Sequence, residues 1–349
     1  MKVLIINLEK GWRGGERQTL FNAKGLANQN IDIEVICRRN SDLEKKLLEN
    51  NIKISTVNSY FHLFIFLIKN TKNVDFILCQ TSKSLTPAFF SSFFHNAKLL
   101  LFRRLDFVPK GWFTKLKYKS CKKIFCVSEA VQVILNNINI NNTIVIPDCI
   151  TPQNINKKRA EKLIENVPIK NKKIIGTTAA LVNHKDPITM IYAINELRKR
   201  DENIVFVHFG EGKLDVEMKT LIQKLDLENH YFLMGFVKNV EDIFSVLDVF
   251  VMSSEEEGMG SSVLDAFLYK VPVVSTNAGG LYELVQNRGI VVEKKNPKLL
   301  ADGIYELLIN ENLKQQNIEN ANKYVVDTLN INTIHKKLSK ILYQIQKNE

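Results

Sequence analysis

Cysteine is scarce: five residues in 349, at positions 37, 79, 121, 126 and 149, with no CxxC pair and one left over from any pairing scheme. Neither a disulfide framework nor a zinc site built on paired thiols is compatible with that pattern, and the thiols read as reduced in a cytoplasmic protein. Long apolar runs are missing too. The most apolar stretches, 61–68 and 85–102, are broken or bounded by His62, Lys69, Ser91, Ser92, His95 and Lys98. They fall well short of the roughly 20 uninterrupted residues of a membrane span. The first twelve residues contain Glu9 and Lys10 and no small-residue cleavage site, so they read as a first strand and not as an export signal. There is no short internal repeat and no low-complexity tract.

What is present is an ordinary globular composition, 45% hydrophobic and 24% charged, which excludes disordered and collagen-like chains. The length suits two domains, each large enough for its own core. Net charge is +11, which fits nucleic acid, an anionic membrane surface or a phosphorylated substrate as partner. A general preference for lysine and asparagine would produce the same figure. No helix-turn-helix, zinc-finger or aromatic RNP signature accompanies the charge, so nucleic acid is disfavoured.

Short apolar runs alternate with amphipathic segments along the chain. Strands are expected at 3–6, 33–36, 54–57, 76–79, 98–102, 124–127 and 143–146, and again at 174–178, 204–209, 231–234, 249–252, 271–275 and 290–292. Residues 151–173 are polar, lysine-rich and twice punctuated by proline, the composition of a connection. The expected fold class is therefore α/β, two Rossmann-like doubly wound domains with parallel sheets. The first covers 1–150, a linker 151–173, the second 174–325, and a C-terminal helix at 326–349 packs back on the first. Ligands of such sheets bind at the C-terminal ends of the strands, so the chemistry is expected where two such edges face across a cleft.

The segment Ser253 to Val285 begins where the strand at 249–252 ends. It carries Glu257 and Gly258, Asp265 eight positions after the glutamate, Lys-Val-Pro-Val-Val at 270–274, then Gly279, Gly280 and Glu283. In this order the set resembles the nucleotide-sugar motif of retaining glycosyltransferases of the GT-B fold, in particular glycosyltransferase family 4. The resemblance implies that Glu257 holds the donor sugar and Asp265 the ribose, with Gly258, Met259, Gly260 and Ser261 approaching the donor through their backbone. Asp265 is one methylene shorter than the glutamate more common there. A solvated acidic loop ahead of an amphipathic helix would be the plainer reading of Glu257 alone.

A second constellation runs from Ile174 to Pro187, with Asp186 as N-cap and Pro187 at the first helical position. The family usually sets an arginine and a lysine here, five apart, around the donor diphosphate. Lys185 matches the lysine; Ala180 stands where the arginine is usual. A leaving diphosphate gains negative charge and needs cations or helix N-termini aimed at it, so Lys185 carries more of that work. Arg103 and Arg104, after the strand at 98–102, are candidates for the missing cation, with a structural ion pair as the alternative for Arg104. Gly14 and Gly15, between the first strand and helix, match the family's acceptor-side glycine loop. They lack the GxGxxG spacing of a dinucleotide site, which disfavours hydride transfer. Gly210, Gly235 and Phe236 end strands where the family contacts the base and diphosphate.

The function implied is retaining, metal-independent transfer of a sugar from a nucleoside-diphosphate sugar to a glycan or lipid-linked acceptor, in lipopolysaccharide or other cell-surface glycan assembly. No cofactor is bound and no Asp-x-Asp metal motif stands at a strand end. A nucleotide-sugar epimerase or a glycosyl phosphorylase on the same fold is the alternative. In the first domain, Tyr60, Phe61, Phe64, Phe66, Phe89, Phe90, Phe93 and Phe94 occur with Lys110, Lys115, Lys117, Lys119, Lys122 and Lys123 around Trp112 and Phe113. Aromatic and basic residues together suit an anionic bilayer surface. Peripheral attachment at the cytoplasmic face is therefore expected, with the lysines exposed, although for the phenylalanines of the 61–66 group a core is the plainer reading.

Overall fold

The computed structural model describes residues 1–347; Asn348 and Glu349, the last two of the expected C-terminal helix, lie outside the described residues. The chain runs β1 (Lys2–Asn7), α1 (Gly14–Ala27), β2 (Asp32–Arg38), α2 (Asp42–Glu49), β3 (Ile54–Val57), α3 (Tyr60–Asn70), β4 (Phe76–Cys79), α4 (Leu85–Ser91), β5 (Lys98–Arg103), α5 (Trp112–Ser120), β6 (Lys123–Cys126), α6 (Glu129–Asn136) and β7 (Thr143–Val145). It continues α7 (Lys157–Leu163), β8 (Lys173–Thr178), α8 (Pro187–Arg198), β9 (Ile204–Phe209), α9 (Asp215–Lys224), β10 (Tyr231–Gly235), β11 (Val249–Met252), α10 (Ser261–Leu268), β12 (Val273–Thr276), α11 (Gly280–Val285), β13 (Ile290–Val292), α12 (Pro297–Ile309), α13 (Glu311–Thr328) and α14 (Ile331–Lys347).

The elements form two compact units, one of Met1–Cys149 with the chain from Thr328 onward, the other Ile150–Asp327. The first sheet has the order β3-β2-β1-β4-β5-β6-β7 and the second β10-β9-β8-β11-β12-β13, every pair parallel. Both windings reverse once, between β1 and β4 in the first unit and between β8 and β11 in the second. That reversal is the position at which open α/β sheets bind ligands.

Central strands such as β4 (FILC), β9 (IVFVHF) and β11 (VFVM) are buried at every residue. Helices cover both faces of a parallel sheet, so its strands need continuous and not alternating hydrophobicity. β12 begins at Val273, two residues later than its apolar run suggests, because Pro272 has no N–H to give to the ladder.

In the first unit α14 lays Ile334, His335, Leu338, Leu342 and Ile345 onto the core at helical spacing, packed on α1. His335 sits against Gly25, where an added Cβ would lie 2.2 Å from the imidazole. Its Nδ1 donates to the Ile331 carbonyl at 2.7 Å, and its Nε2 lies 2.9 Å from Asn22 Oδ1.

The polar stretch 151–173 contains α7, with Pro152 and Pro168 bracketing the helix without interrupting it. Asn156 caps α7 by accepting the Arg159 N–H at 3.0 Å. Ala160, Ile164 and Val167 are buried, and Arg159 grips the buried Asp242 carboxylate with bonds of 2.6 and 2.7 Å. These partners lie more than 80 positions downstream, which is why local composition reads the segment as a plain connection.

Candidate functional site

At the reversal in the second sheet, the loops after β8 and β11 are tied into one unit. The Glu255 N–H donates to the His184 carbonyl at 2.8 Å. Ser253 Oγ lies 3.0 Å from the Lys185 carbonyl oxygen and 2.8 Å from that of Asp186. The loop is also held to the end of β12 and the turn beyond it, where Thr276 Oγ1 donates to the Ser254 carbonyl at 2.5 Å and Gly280 N–H to that of Glu257 at 2.8 Å. Lys295 pairs with Glu255 at 3.0 Å.

Lys185 ends a single 3-10 turn, Asn183–Lys185, and its Nζ forms an ion pair with the Glu257 carboxylate. Both side chains are largely covered, 19% and 15% exposed. Asp186 follows in the left-handed conformation (φ 44°, ψ 57°) and caps α8. Its Oδ1 accepts the Thr189 N–H at 3.1 Å and its Oδ2 the Thr189 hydroxyl at 2.6 Å. Aspartate tolerates that backbone because a short acceptor finds a local donor.

Gly260, at φ +91°, turns the chain into α10; a Cβ there would lie 2.6 Å from Leu281 Cδ2. Gly258 and Met259 are buried, Ser261 is half-buried, and Asp265 lies buried one turn into α10. Gly210 (φ +155°) allows the close approach of the loop after β9 to the turn at 179–181, where an added Cβ would sit 1.9 Å from the Ala179 oxygen. Beneath the turn, His208 donates from Nε2 to that same oxygen at 3.0 Å and accepts the Tyr231 hydroxyl at Nδ1, 2.8 Å away. Burial holds the His208 pKa down at about 4, so the imidazole acts there as a neutral brace. Gly235 takes φ +69° and its carbonyl accepts the Gly210 N–H at 2.8 Å; Phe236 beside it is exposed. Ala180 is half-buried on the same turn.

In the first unit Gly14 and Gly15 open α1, where Glu16 closes a capping box on the Arg13 N–H at 3.0 Å. Burial raises the Glu16 pKa, opposed by the Asn7 amide that donates to it. Arg103 is buried, donating to the Tyr118 hydroxyl at 3.1 Å and the Phe107 carbonyl at 2.5 Å. Arg104 donates from Nε to Asp148 at 2.9 Å and from Nη1 to Gln80 Oε1 at 3.1 Å. Both arginines therefore have structural partners inside the first unit, and Arg104 forms an ion pair with Asp148.

Of the expected site residues, the structure gathers Lys185, Glu257, Gly258, Met259, Gly260, Ser261 and Asp265 around one strand edge, with Ala180, Gly210 and Gly235 on adjoining turns. The residues missed are those that lock the loops together: Ser253, Thr276, His208 and Lys295. Serine, threonine and lysine at such positions carry no sequence signal, because their partners are carbonyls and carboxylates distant in the chain. Among the described residues no group of three or more His, Cys, Asp or Glu side chains is placed to hold a metal ion. No helix among them is long and apolar enough to cross a membrane.

Residues 158–324 match the family model described as glycosyl transferases group 1. A poly(ribitol-phosphate) alpha-N-acetylglucosaminyltransferase of Staphylococcus aureus (strain COL) is 24% identical over 220 residues, 59% of this chain and 45% of that protein. The O-antigen biosynthesis glycosyltransferase WbnH of Escherichia coli is 25% identical over 250 residues, 66% of this chain and 68% of WbnH. The matched region spans about half the length of the first curated relatives, 45%, 40% and 61%. Among solved structures, a glycosyltransferase of Rickettsia africae ESF-5 superposes with TM-score 0.85 at 23% identity, covering 100% of this chain and 99% of that one. HepE of Anabaena, solved in complex with UDP and glucose, gives 0.86 at 18% identity, covering 98% and 99%. These likenesses establish the fold class: two Rossmann-like α/β units, the GT-B class.

Proposed function

We propose, from the match of residues 158–324 to the model of glycosyl transferases group 1, that the chain moves a sugar from a nucleoside-diphosphate sugar to an acceptor hydroxyl with retention of configuration. The observation that carries this reading is the Lys185–Glu257 pair at the edge where the second sheet reverses its winding. A cation and a carboxylate placed together there suit a donor with an anionic diphosphate next to a hydroxyl-rich sugar.

In this reading Lys185 faces the diphosphate and offsets the charge that develops as the glycosidic bond breaks. Glu257 accepts hydrogen bonds from the sugar, Asp265 from the ribose, and the backbone of Gly258, Met259, Gly260 and Ser261 lies along the donor. Gly210, Gly235 and Phe236 flank the base and diphosphate. Ala180 leaves the place of a second cation empty of charge, and the reaction runs without a metal. No protein nucleophile is assigned, and the departing phosphate takes the acceptor's proton. Gly14 and Gly15 lie on the acceptor side. Arg103 and Arg104, each engaged by neighbours in its own unit, serve there as framework and not as free cations. Uridine diphosphate sugars are the first donors to try, since HepE was solved with UDP.

The acceptor in this reading is a glycan or lipid-linked glycan of the cell surface, which is supported by the Escherichia coli relative being named for O-antigen biosynthesis. Peripheral contact with an anionic membrane from the cytoplasmic side is supported by the exposure of Phe61 (74%) and Trp112 (78%) and of Lys115, Lys119 and Lys122 in the same unit. Within the 61–66 group only Leu63 is buried, on the face of α3 it shares with Leu67, while Phe61 is exposed and Phe64 and Phe66 are half-buried. Lys117, by contrast, is buried.

The test is a thermal-shift screen of nucleotide sugars followed by product analysis. A donor that raises the melting temperature and whose sugar is transferred with its anomeric configuration kept supports the proposal. Conversion of the donor without any acceptor would identify an epimerase instead, and phosphate-dependent release of a sugar phosphate a phosphorylase.

A further inference from the structure

The net charge of +11 is not spread over the chain. Residues 59–123 hold ten lysines and two arginines against Asp75 and Asp106 alone, a net +10. The same segment builds an apolar groove of about 650 Å³ in the first unit, between α3, α4 and the 3-10 turn at Ser92–Phe94. Its walls are Phe61, Phe64, Pro87, Phe90, Phe93 and Phe94; Tyr60 and Thr86 contribute the hydroxyls. Phe113 on α5 stacks on Phe90 at 5.7 Å, and Trp112 packs edge-on to Phe113 at 5.8 Å. A volume within the ~300–1,000 Å³ of small-ligand pockets and a lining that is apolar but for two hydroxyls suit an apolar ligand better than a sugar.

Charge decides what the groove holds. Lys117 donates from Nζ to Thr86 Oγ1 at 2.7 Å and stands 5.1 Å over the Phe113 ring. It is buried, and no carboxylate lies within ion-pair distance of it among the described residues. A buried ammonium without a counter-charge is costly, and burial pulls its pKa down accordingly. A second copy docking through this face about a two-fold axis would bring the same basic segment against itself. Lys117 is not itself a wall of the groove but meets its lining through Thr86, so an occupant that is apolar along its length and anionic at the Thr86 end satisfies the walls and brings its charge to the lysine's hydrogen-bond partner.

We propose that this groove receives the hydrocarbon chain of a phosphate-bearing lipid acceptor, with the phosphate at the Thr86–Lys117 end. The proposal rests on the glycosyltransferase reading and names its acceptor class: the acceptor glycan is carried on a lipid phosphate, whose anchor this groove grips.

The probe is farnesyl phosphate, titrated into the full chain by calorimetry and by Trp112 fluorescence in a Trp12→Phe background, beside farnesol and inorganic phosphate. Farnesyl phosphate is expected to bind at least tenfold more tightly than either. Phe90→Ser with Phe94→Ser, at exposed side chains, is expected to weaken it at least tenfold at unchanged melting temperature. Lys117→Met, which keeps the stem, is expected to bring farnesyl phosphate down to the level of farnesol. Binding no tighter than inorganic phosphate, or binding indifferent to the Phe90 and Phe94 changes, overturns the proposal. So does a concentration-dependent dimer abolished by those changes, which would make the groove a contact between copies. Nucleoside-diphosphate binding is measured in the same samples: its retention without farnesyl phosphate binding refutes the groove assignment alone, and its absence alongside farnesyl phosphate binding refutes the donor-site reading alone.

Discussion

Lys185 and Glu257 stand 72 positions apart in the chain and meet as a largely covered ion pair where the second sheet reverses its winding. The meeting follows from topology: β8 and β11 are neighbours, so the loops leaving their C-terminal ends share one edge. Ser253, hydrogen-bonded to the carbonyls of Lys185 and Asp186, fixes one loop against the other.

From the proposed roles, Glu257→Ala is expected to lower kcat/KM for sugar transfer by at least ~100-fold, the scale of losing a transition-state contact. Lys185→Ala is expected to weaken nucleoside-diphosphate binding at least about tenfold, or ~1.4 kcal/mol. Because each removal strands the other's charge, the double variant should cost less than the two single effects added. Strict additivity in steady-state kinetics and donor titration would show that the pair does not act as a unit.

Asp265→Asn keeps the shape of the side chain and removes its charge. It is expected to weaken nucleotide binding while leaving the choice of sugar intact, as competition among nucleotide sugars would read out. A changed sugar preference with unchanged nucleotide affinity would exchange the roles of Asp265 and Glu257.

Gly210→Ala should destabilise the second unit, because the new methyl meets the Ala179 carbonyl oxygen at 1.9 Å on a backbone at φ +155°. Chemical denaturation is expected to give a loss of roughly 1–3 kcal/mol, the range for overpacking. Nucleotide binding should weaken as well, since the displaced turn at 179–181 leads directly into Lys185.

The sheets were legible because parallel strands covered on both faces write themselves as apolar runs. β4, β9, β11 and β13 fall at their expected positions to the residue, while β12 starts two residues late, after Pro272, and ends one residue late at Thr276. The site loop was legible for a different reason: Glu257 through Glu283 lies within one continuous strand-loop-helix-strand-turn segment. What depended on distant partners was not legible. The Arg104–Asp148 pair, the burial of Lys117 under α4 and the grip of Arg159 on Asp242 join residues 31 to 83 positions apart. The 61–66 segment misleads by abundance. With nearly every position of α3 apolar, periodicity does not separate Leu63 and Leu67 on the buried face from the exposed Phe61 and the half-buried Phe64 and Phe66.

His208 and His335 make stability depend on pH. Burial holds both near a pKa of about 4 in the folded chain, against about 6.5 for an unfolded histidine. The unfolded chain therefore takes up these protons first on acidification. The contribution is full above about pH 6.5, is lost progressively down to about pH 4, and is flat below that for these two groups. Each accounts for on the order of 3 kcal/mol across the window. In denaturant unfolding followed against pH, His335→Gln should flatten the slope between pH 6.5 and 4.5. An unchanged slope would place the dependence elsewhere.

Membrane attachment gives the last prediction, and the burial of Lys117 decides which residues test it. Reversing Lys117 would strand a carboxylate under α4 and confuse unfolding with detachment. Lys115, Lys119 and Lys122 are exposed on or just after α5, close in sequence to Trp112. Each cation near anionic headgroups is worth about 1 kcal/mol, so reversing all three to glutamate should lower partitioning onto anionic vesicles by at least ~100-fold. The unaltered chain should co-sediment with anionic but not neutral vesicles and be released by high salt, because a Debye length of ~3 Å at 1 M salt screens the attraction. Trp112→Ala should weaken binding at low salt while leaving the salt dependence in place, since it removes interfacial apolar area and no charge. Equal recovery in the supernatant with both vesicle types would rule out this face as the membrane contact and favour an acceptor reached from solution.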